Sequence, residues 1–246
     1  MSKKQTLILV ILTFSLGLFI IISYPINLGW DIVNNSADWS AFGSFVGGLL
    51  GPFFSFMSFV GILITLHLQS KQNDQNVIIS MITKNLELHN QNLNNVKFER
   101  GTKTNNITTY QGINAFHFLY ENELKAFFKS EQNLDSSRNC EDLIELAFDK
   151  LYKKEGKSFG FYFRNLYYIF DTIDKSENIN QIYYAKLVRA QLSIPELQLL
   201  FYNCVYSKGS NFKKYAEKYC LLNGLDEELL LDPSHKELFK EAFNSK

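Results

Sequence analysis

Two stretches of this 246-residue chain carry no charge at all: residues 5–30 and 39–70 contain no Asp, Glu, Lys or Arg. Net charge is missing too, since Lys+Arg and Asp+Glu both number 25. Only Lys3, Lys4, Asp31 and Asp38 precede Lys71, so residues 71–246 hold 23 basic and 23 acidic residues. That half has no cationic surplus for a phosphate backbone, which argues against nucleic acid as a partner. Cysteine is scarce and odd in number: Cys140, Cys204 and Cys220 show no C-x-x-C spacing, which excludes a disulfide framework or a zinc knuckle and leaves buried thiols. The four histidines (67, 89, 117 and 235) stand apart, and no two have metal-ligand spacing. P-loop, G-x-S-x-G and glycine-rich phosphate signatures are absent. No metal, cofactor or catalytic residue is expected.

What the chain does have is oil at its start. Thr6–Ile26 is long enough to cross a hydrocarbon core of about 30 Å. Its 14 Leu, Ile, Val and Phe residues, at about 0.3–0.6 kcal/mol each, favour insertion by up to about 4–8 kcal/mol. The run is long for a signal peptide, and no small-x-small site follows it, so it reads as an uncleaved anchor. A second span covers about 42–68. The loop 27–40 between them carries Asp31, Asp38 and two interfacial tryptophans but no Lys or Arg, whereas Lys3, Lys4 and Lys71 flank the outer ends. The positive-inside rule then places both termini in the cytoplasm.

Gly43, Gly47 and Gly51 recur every four residues in the second span, with Gly48 beside them. In lipid there is little hydrophobic drive between helices, so small residues that allow close backbone approach mark a packing face. The face fits either the first span or the same span of another subunit. Pro52 removes one backbone donor and is a candidate kink. No charge marks an ion path through the segment, which argues against a constitutive channel.

From Lys71 the chain is polar but periodic. Ile79, Ile82, Leu86, His89, Leu93 and Val96 follow a heptad seam for about two and a half repeats, which predicts a helical stalk over 70–100; His89 on that seam is expected to be packed and hydrogen-bonded. Residues 98–112 read as a polar flexible connection. Helical faces follow: Ile113, Phe116, Tyr120 and Phe127; Cys140, Leu143, Ala147 and Leu151; Phe159, Phe163, Leu166, Phe170 and Ile173. Ser193 with Glu196 forms a capping box, Asp232 precedes Pro233 at a helix start, and Gly209 and Gly224 suit helix C-termini. No segment alternates as a strand. The expected fold is all-α: a two-span transmembrane hairpin over 1–69, the stalk, then a cytoplasmic helical domain over 101–246.

The segments "GFYFRNLYYIFDTID" (160–174), "YYAKLVRAQLSIPELQLLFYNCV" (183–205) and "FKKYAEKYCLLNGL" (212–225) resemble the phage abortive infection family of AbiC-like bacterial membrane proteins. "FGSFVGGLLGPFFSFMSFVGILITLHLQ" is similar to that family's membrane segment, and "LELHNQN" (86–92) also matches. The resemblance runs over roughly residues 40–244. It departs at Phe161, where the family often has a histidine before the Tyr-Phe-Arg triplet. It implies a bacterial inner-membrane protein that halts an infected cell before phage progeny mature. Many helical abortive-infection proteins are HEPN ribonucleases, marked by an arginine with a histidine four to six residues on. None of Arg100, Arg138, Arg164 and Arg189 is followed in that way, so an enzyme is the weaker expectation.

Arg164, Asn165, Tyr168, Arg189 and Gln191 place guanidinium, amide and phenol groups on otherwise apolar helices. They either satisfy one another and helix ends across the bundle, or form a pocket that reads a carboxylate or phosphate, with Tyr162, Tyr167, Tyr183 and Tyr184 as walls. The leading functional expectation is a membrane effector that senses through its helical domain, contacts lipid, self-associates through the glycine face, and responds to a phage protein or a neighbouring defence protein. One rival is an anchored scaffold that recruits a separate toxin; another is a tethered nuclease with an unfamiliar site.

Overall fold

In the computed structural model the described residues are 11–15, 17–19, 21–23, 26, 36–101 and 107–244. The chain divides into two compact units, Met1–Asn73 and Asp74–Lys246. It is mostly helical, as its periodicity predicts.

In the first unit, the described residues of the first apolar run are helical. The predicted span Thr6–Ile26 and the loop 27–40 fall in part outside the described residues, so the two-span hairpin is not shown. Gly17 is buried, and a Cβ there would lie 3.9 Å from Cζ of Phe54. The second run belongs to helix α1, Ser36–Asn95, which has 60 residues and extends about 90 Å at 1.5 Å per residue. It is the one described helix long and apolar enough to cross a membrane. Trp39 meets Phe42 edge-on at its start, with ring centroids 6.0 Å apart. Pro52 lies inside the helix without ending it. Phe45, Leu49, Phe54, Phe56, Phe59, Ile62 and Leu66 are exposed, whereas Phe42, Val46, Leu50, Phe53, Met57 and Val60, along one side of the helix, are half-buried. A helix that is apolar all round is at home in lipid or inside a protein assembly.

The second unit begins with the rest of α1. Its heptad seam packs on the unit's own core: Ile82, His89 and Leu93 are buried, and Ile78 and Leu86 lie against the same cluster. Two side chains fix this stretch. The Asn165 amide donates to the carbonyl of Asn85 at 3.0 Å, and Gln75 donates to the carbonyl of Asn178 at 2.6 Å. His89 is packed, with its ring 4.3 Å from that of Tyr162, but neither ring nitrogen has a hydrogen-bond partner among the described residues.

Residues 98–101 and 107–111, within the expected flexible connection, are strand. Strands β1 (Lys97–Gly101) and β2 (Ile107–Gln111) pair antiparallel, with Phe98 opposite Tyr110. The polar run hid the β-branched Ile107, Thr108 and Thr109, which favour a pleated strand. Phe98 is buried, and Tyr110 stacks on Phe118 at 4.2 Å.

Helix α2 (Ile113–Phe118) continues through a π-helical turn, Leu119–Leu124, into α3 (Lys125–Leu134). Helix α4 (Cys140–Lys175) joins the two predicted faces around residues 143–151 and 159–173 into a single 36-residue helix, started by Asn139, whose side chain accepts from the Asp142 N–H at 2.7 Å. Helix α5 (Gln181–Arg189) packs on α4, as does α6 (Ile194–Val205), in which every residue from Glu196 to Cys204 is buried. The capping box forms: the Glu196 carboxylate accepts from the Ser193 N–H at 2.7 Å, and also from the Tyr162 hydroxyl at 2.7 Å. A 3₁₀ turn (Ser210–Phe212), α7 (Lys213–Lys218) and two further 3₁₀ segments complete the unit, the last beginning at Pro233 with Asp232 as its cap. Neither Gly209 nor Gly224 is the left-handed residue that ends a helix. That role falls to Cys220, with φ of 50°: the Leu221 N–H reaches back to the Ala216 carbonyl and the Cys220 N–H to that of Glu217.

Candidate functional site

Helix α4 turns one face toward the core and leaves another beside the turn that follows α6. Between them is a cavity of about 260 Å³. Tyr152, Gly160, Phe163, Arg164 and Tyr167 contribute from α4; Asn203, Tyr206, Lys208, Gly209, Asn211 and Phe212 contribute from the other side. All these residues lie in the second unit.

Two glycines shape the α4 wall. A Cβ on Gly156 would sit 2.9 Å from the Tyr152 ring, and one on Gly160 would sit 3.2 Å from its hydroxyl oxygen. The tyrosine ring therefore lies flat along the helix, where any larger residue would lift it. Across the cavity, a Cβ on Gly209 would fall 2.0 Å from the backbone oxygen of Asn203 and 2.7 Å from its Nδ2. The turn can come this close to the end of α6 only with glycine there. That is the physical reason for Gly209, in place of the helix stop its sequence position implies.

The polar groups are unevenly partnered. Arg164 stacks its guanidinium 4.9 Å from the Phe161 ring centroid and donates a long 3.4 Å bond to the Gly160 carbonyl. Among the described residues no carboxylate pairs with it. Lys208 is 3.5 Å from Asp149, which also pairs with Lys153 at 2.6 Å and accepts from the Tyr206 hydroxyl at 2.9 Å. Lys153 and Tyr206 hold the Asp149 carboxyl below its ordinary range, and Tyr206 with Asp149 holds the Lys208 ammonium above its own. The cavity thus has one uncompensated cation and one shared cation. Asn203 is only 6% exposed as a residue and lines the cavity, but its amide atoms are not among the buried polar atoms left without a partner.

The candidates read from the sequence are dispersed by the fold. Arg164 lines this cavity. Asn165, its neighbour, ties α4 to α1. Tyr168 is 61% exposed and meets Tyr167 edge-on at 5.6 Å. Arg189 donates to the Cys220 carbonyl at 3.0 Å, beside a separate hollow lined by Lys186, Ser193 and Asn223. Gln191 is exposed. Arg164 and Arg189 do not share a site. Sequence reasoning missed Tyr152, Asn203, Lys208 and Gly209; the visible signal was one amide in the apolar "LQLLFYNCV" and the polar, glycine-containing "SKGSN" after it. Gly43, Gly47, Gly48 and Gly51, in the first unit, are exposed, and a Cβ on any of them would meet nothing within 4 Å. Among the described residues no group of three His, Cys, Asp or Glu is arranged to hold a metal ion.

The described residues form a mostly helical protein with an aromatic core and one helix long and apolar enough to cross a membrane. Residues 154–229, which contain the α4 wall from Gly160 on, α5, α6 and the turn, match the family described as "Putative phage abortive infection protein", so the AbiC-like resemblance is shown over that segment. No curated protein and no solved structure matches the chain.

Proposed function

We propose that this protein is an anti-phage effector of the bacterial inner membrane, with both termini cytoplasmic, and that it acts without catalysis of its own. The family match over residues 154–229 carries the defence reading. The exposed apolar helix supports a place in the bilayer. In this reading the helical unit senses infection, directly or through a phage protein or a neighbouring defence protein. Helix α1, whose residues belong to both units, links that event to the membrane. The glycine face brings copies of α1 together, and the reorganised helices abolish the membrane potential.

The test is phage challenge of cells with and without the protein, recording membrane potential and survival together. Potential should collapse before lysis in cells carrying the wild type and persist in cells carrying Gly47→Ile. Growth arrest at full potential would overturn the effector reading in favour of an anchored scaffold, and arrest accompanied by cleaved RNA or DNA would favour a tethered nuclease.

A further inference from the structure

The geometry points to a ligand for the cavity between α4 and the turn after α6: a nucleoside monophosphate, its phosphate on Arg164 and its base between the tyrosine walls and the Asn203 amide. The inference rests on the sensing reading above only for its purpose, not for its chemistry.

Three features select this class. Arg164 carries a planar fork of donors matched to phosphate oxygens, and among the described residues no carboxylate occupies it. Lys208 adds a second cation at the rim. Tyr152 and Tyr167, with Phe212 6.2 Å from the latter, present ring faces and edges that suit a flat heterocycle. Asn203 offers one donor group and one acceptor side by side, the pattern that pairs with a base edge. Asn203 as a residue is more than nine-tenths buried, lines the cavity, and lies against the close approach of Gly209. At about 260 Å³ the cavity lies just under the roughly 300 Å³ where pockets for drug-sized ligands begin. That size admits one ring system with one anionic group and excludes a dinucleotide or a polynucleotide.

Calorimetric titration of the full-length protein in detergent with AMP, GMP, CMP and UMP tests the assignment, alongside the four nucleosides and inorganic phosphate. At least one monophosphate should bind, its nucleoside and free phosphate each at least about tenfold more weakly. Arg164→Ala should weaken binding by tenfold or more, and Asn203→Ala should weaken it and flatten the preference among bases. Arg189→Ala, in the other hollow, should leave binding unchanged. Absence of binding to wild type at millimolar nucleotide overturns the proposal. So does phosphate binding as tightly as the nucleotide, or equal binding by wild type and Arg164→Ala; that variant is exposed and tests the site even if Asn203→Ala does not fold. If Arg164→Ala loses the nucleotide but still protects cells from phage, the site stands and the sensing reading falls.

Discussion

Residues 43–68 and residues 78–93 are parts of one helix, yet they obey different rules. In the first stretch Phe45, Leu49, Phe56, Phe59 and Ile62 are exposed, Val46, Leu50, Phe53, Met57 and Val60 are only half-buried, and no charge interrupts them. In the second, only one stripe is apolar, and Ile82, His89 and Leu93 on it are buried within the chain. A stripe is what a helix needs when the chain supplies the covering surface; apolarity all round is what it needs when something else does. The contrast implies that stability in the second unit is set by its own packing. What happens in the first unit is set by the medium and by neighbouring molecules.

The strongest blow to the closed side of this contrast is Phe170→Ala. Phe170 is fully buried, with its ring 5.8 Å from Phe212 and 5.9 Å from Tyr219. Removing it should cost about 3–5 kcal/mol, read as a lower urea midpoint for the detergent-solubilised full chain. Phe56→Ala, at a 63% exposed position, should leave that midpoint within about 0.5 kcal/mol. Equal losses from the two would erase the distinction.

Acid should act on the closed side as well. Burial lowers His89 from its ordinary 6.5 to about 4. Between those values the unfolded chain binds a proton that the folded one refuses, so stability rises with pH there and is lost as pH falls from about 6.5 toward 4. The full window is worth about 3 kcal/mol. Burial pushes His235 the same way, against the pull of Asp232. His89→Phe keeps a ring against Tyr162, should flatten this limb of the pH–stability profile, and should add about 1–3 kcal/mol at neutral pH by removing two orphaned polar atoms. An unchanged acid limb would remove His89 from the account.

Much of the second unit could be read from sequence because its signals are local. The Ser193–Glu196 box and the Asp232 cap each depend on residues within three positions of one another, and the Phe159–Ile173 face is a repeat of three and four. The α4 helix was harder. Gly156 and Gly160 look like breakers, but they are there to seat the Tyr152 ring on the helix surface. The paired strands Lys97–Gly101 and Ile107–Gln111 were hidden by polarity, since Phe98 is the one residue in them that is buried. The cavity was not legible at all. Arg164 and Asn203 are 39 positions apart, and nothing short of the fold says they face one space. Arg189, which looked equivalent to Arg164, is instead engaged by a carbonyl 31 residues away.

Gly209→Ala should sharpen the same point at moderate cost. A methyl 2.0 Å from the Asn203 backbone oxygen must displace the turn, at about 1–3 kcal/mol by thermal melting. Because Lys208 moves with that turn, nucleotide affinity should fall more than stability does.

The smallest thermodynamic effect is expected where the phenotype should be largest. A Cβ at position 47 would meet nothing within 4 Å among the described residues. Gly47→Ile should therefore leave the urea midpoint of the second unit unchanged within about 0.5 kcal/mol. Close backbone contact between neighbouring helices, however, tolerates no branched side chain at a G-x-x-x-G position. Cross-linking in native membranes should show oligomers of the wild type and monomers of the variant. If both cross-link alike, the open glycine face is not where copies meet, and the uncovered side of α1 answers to lipid alone.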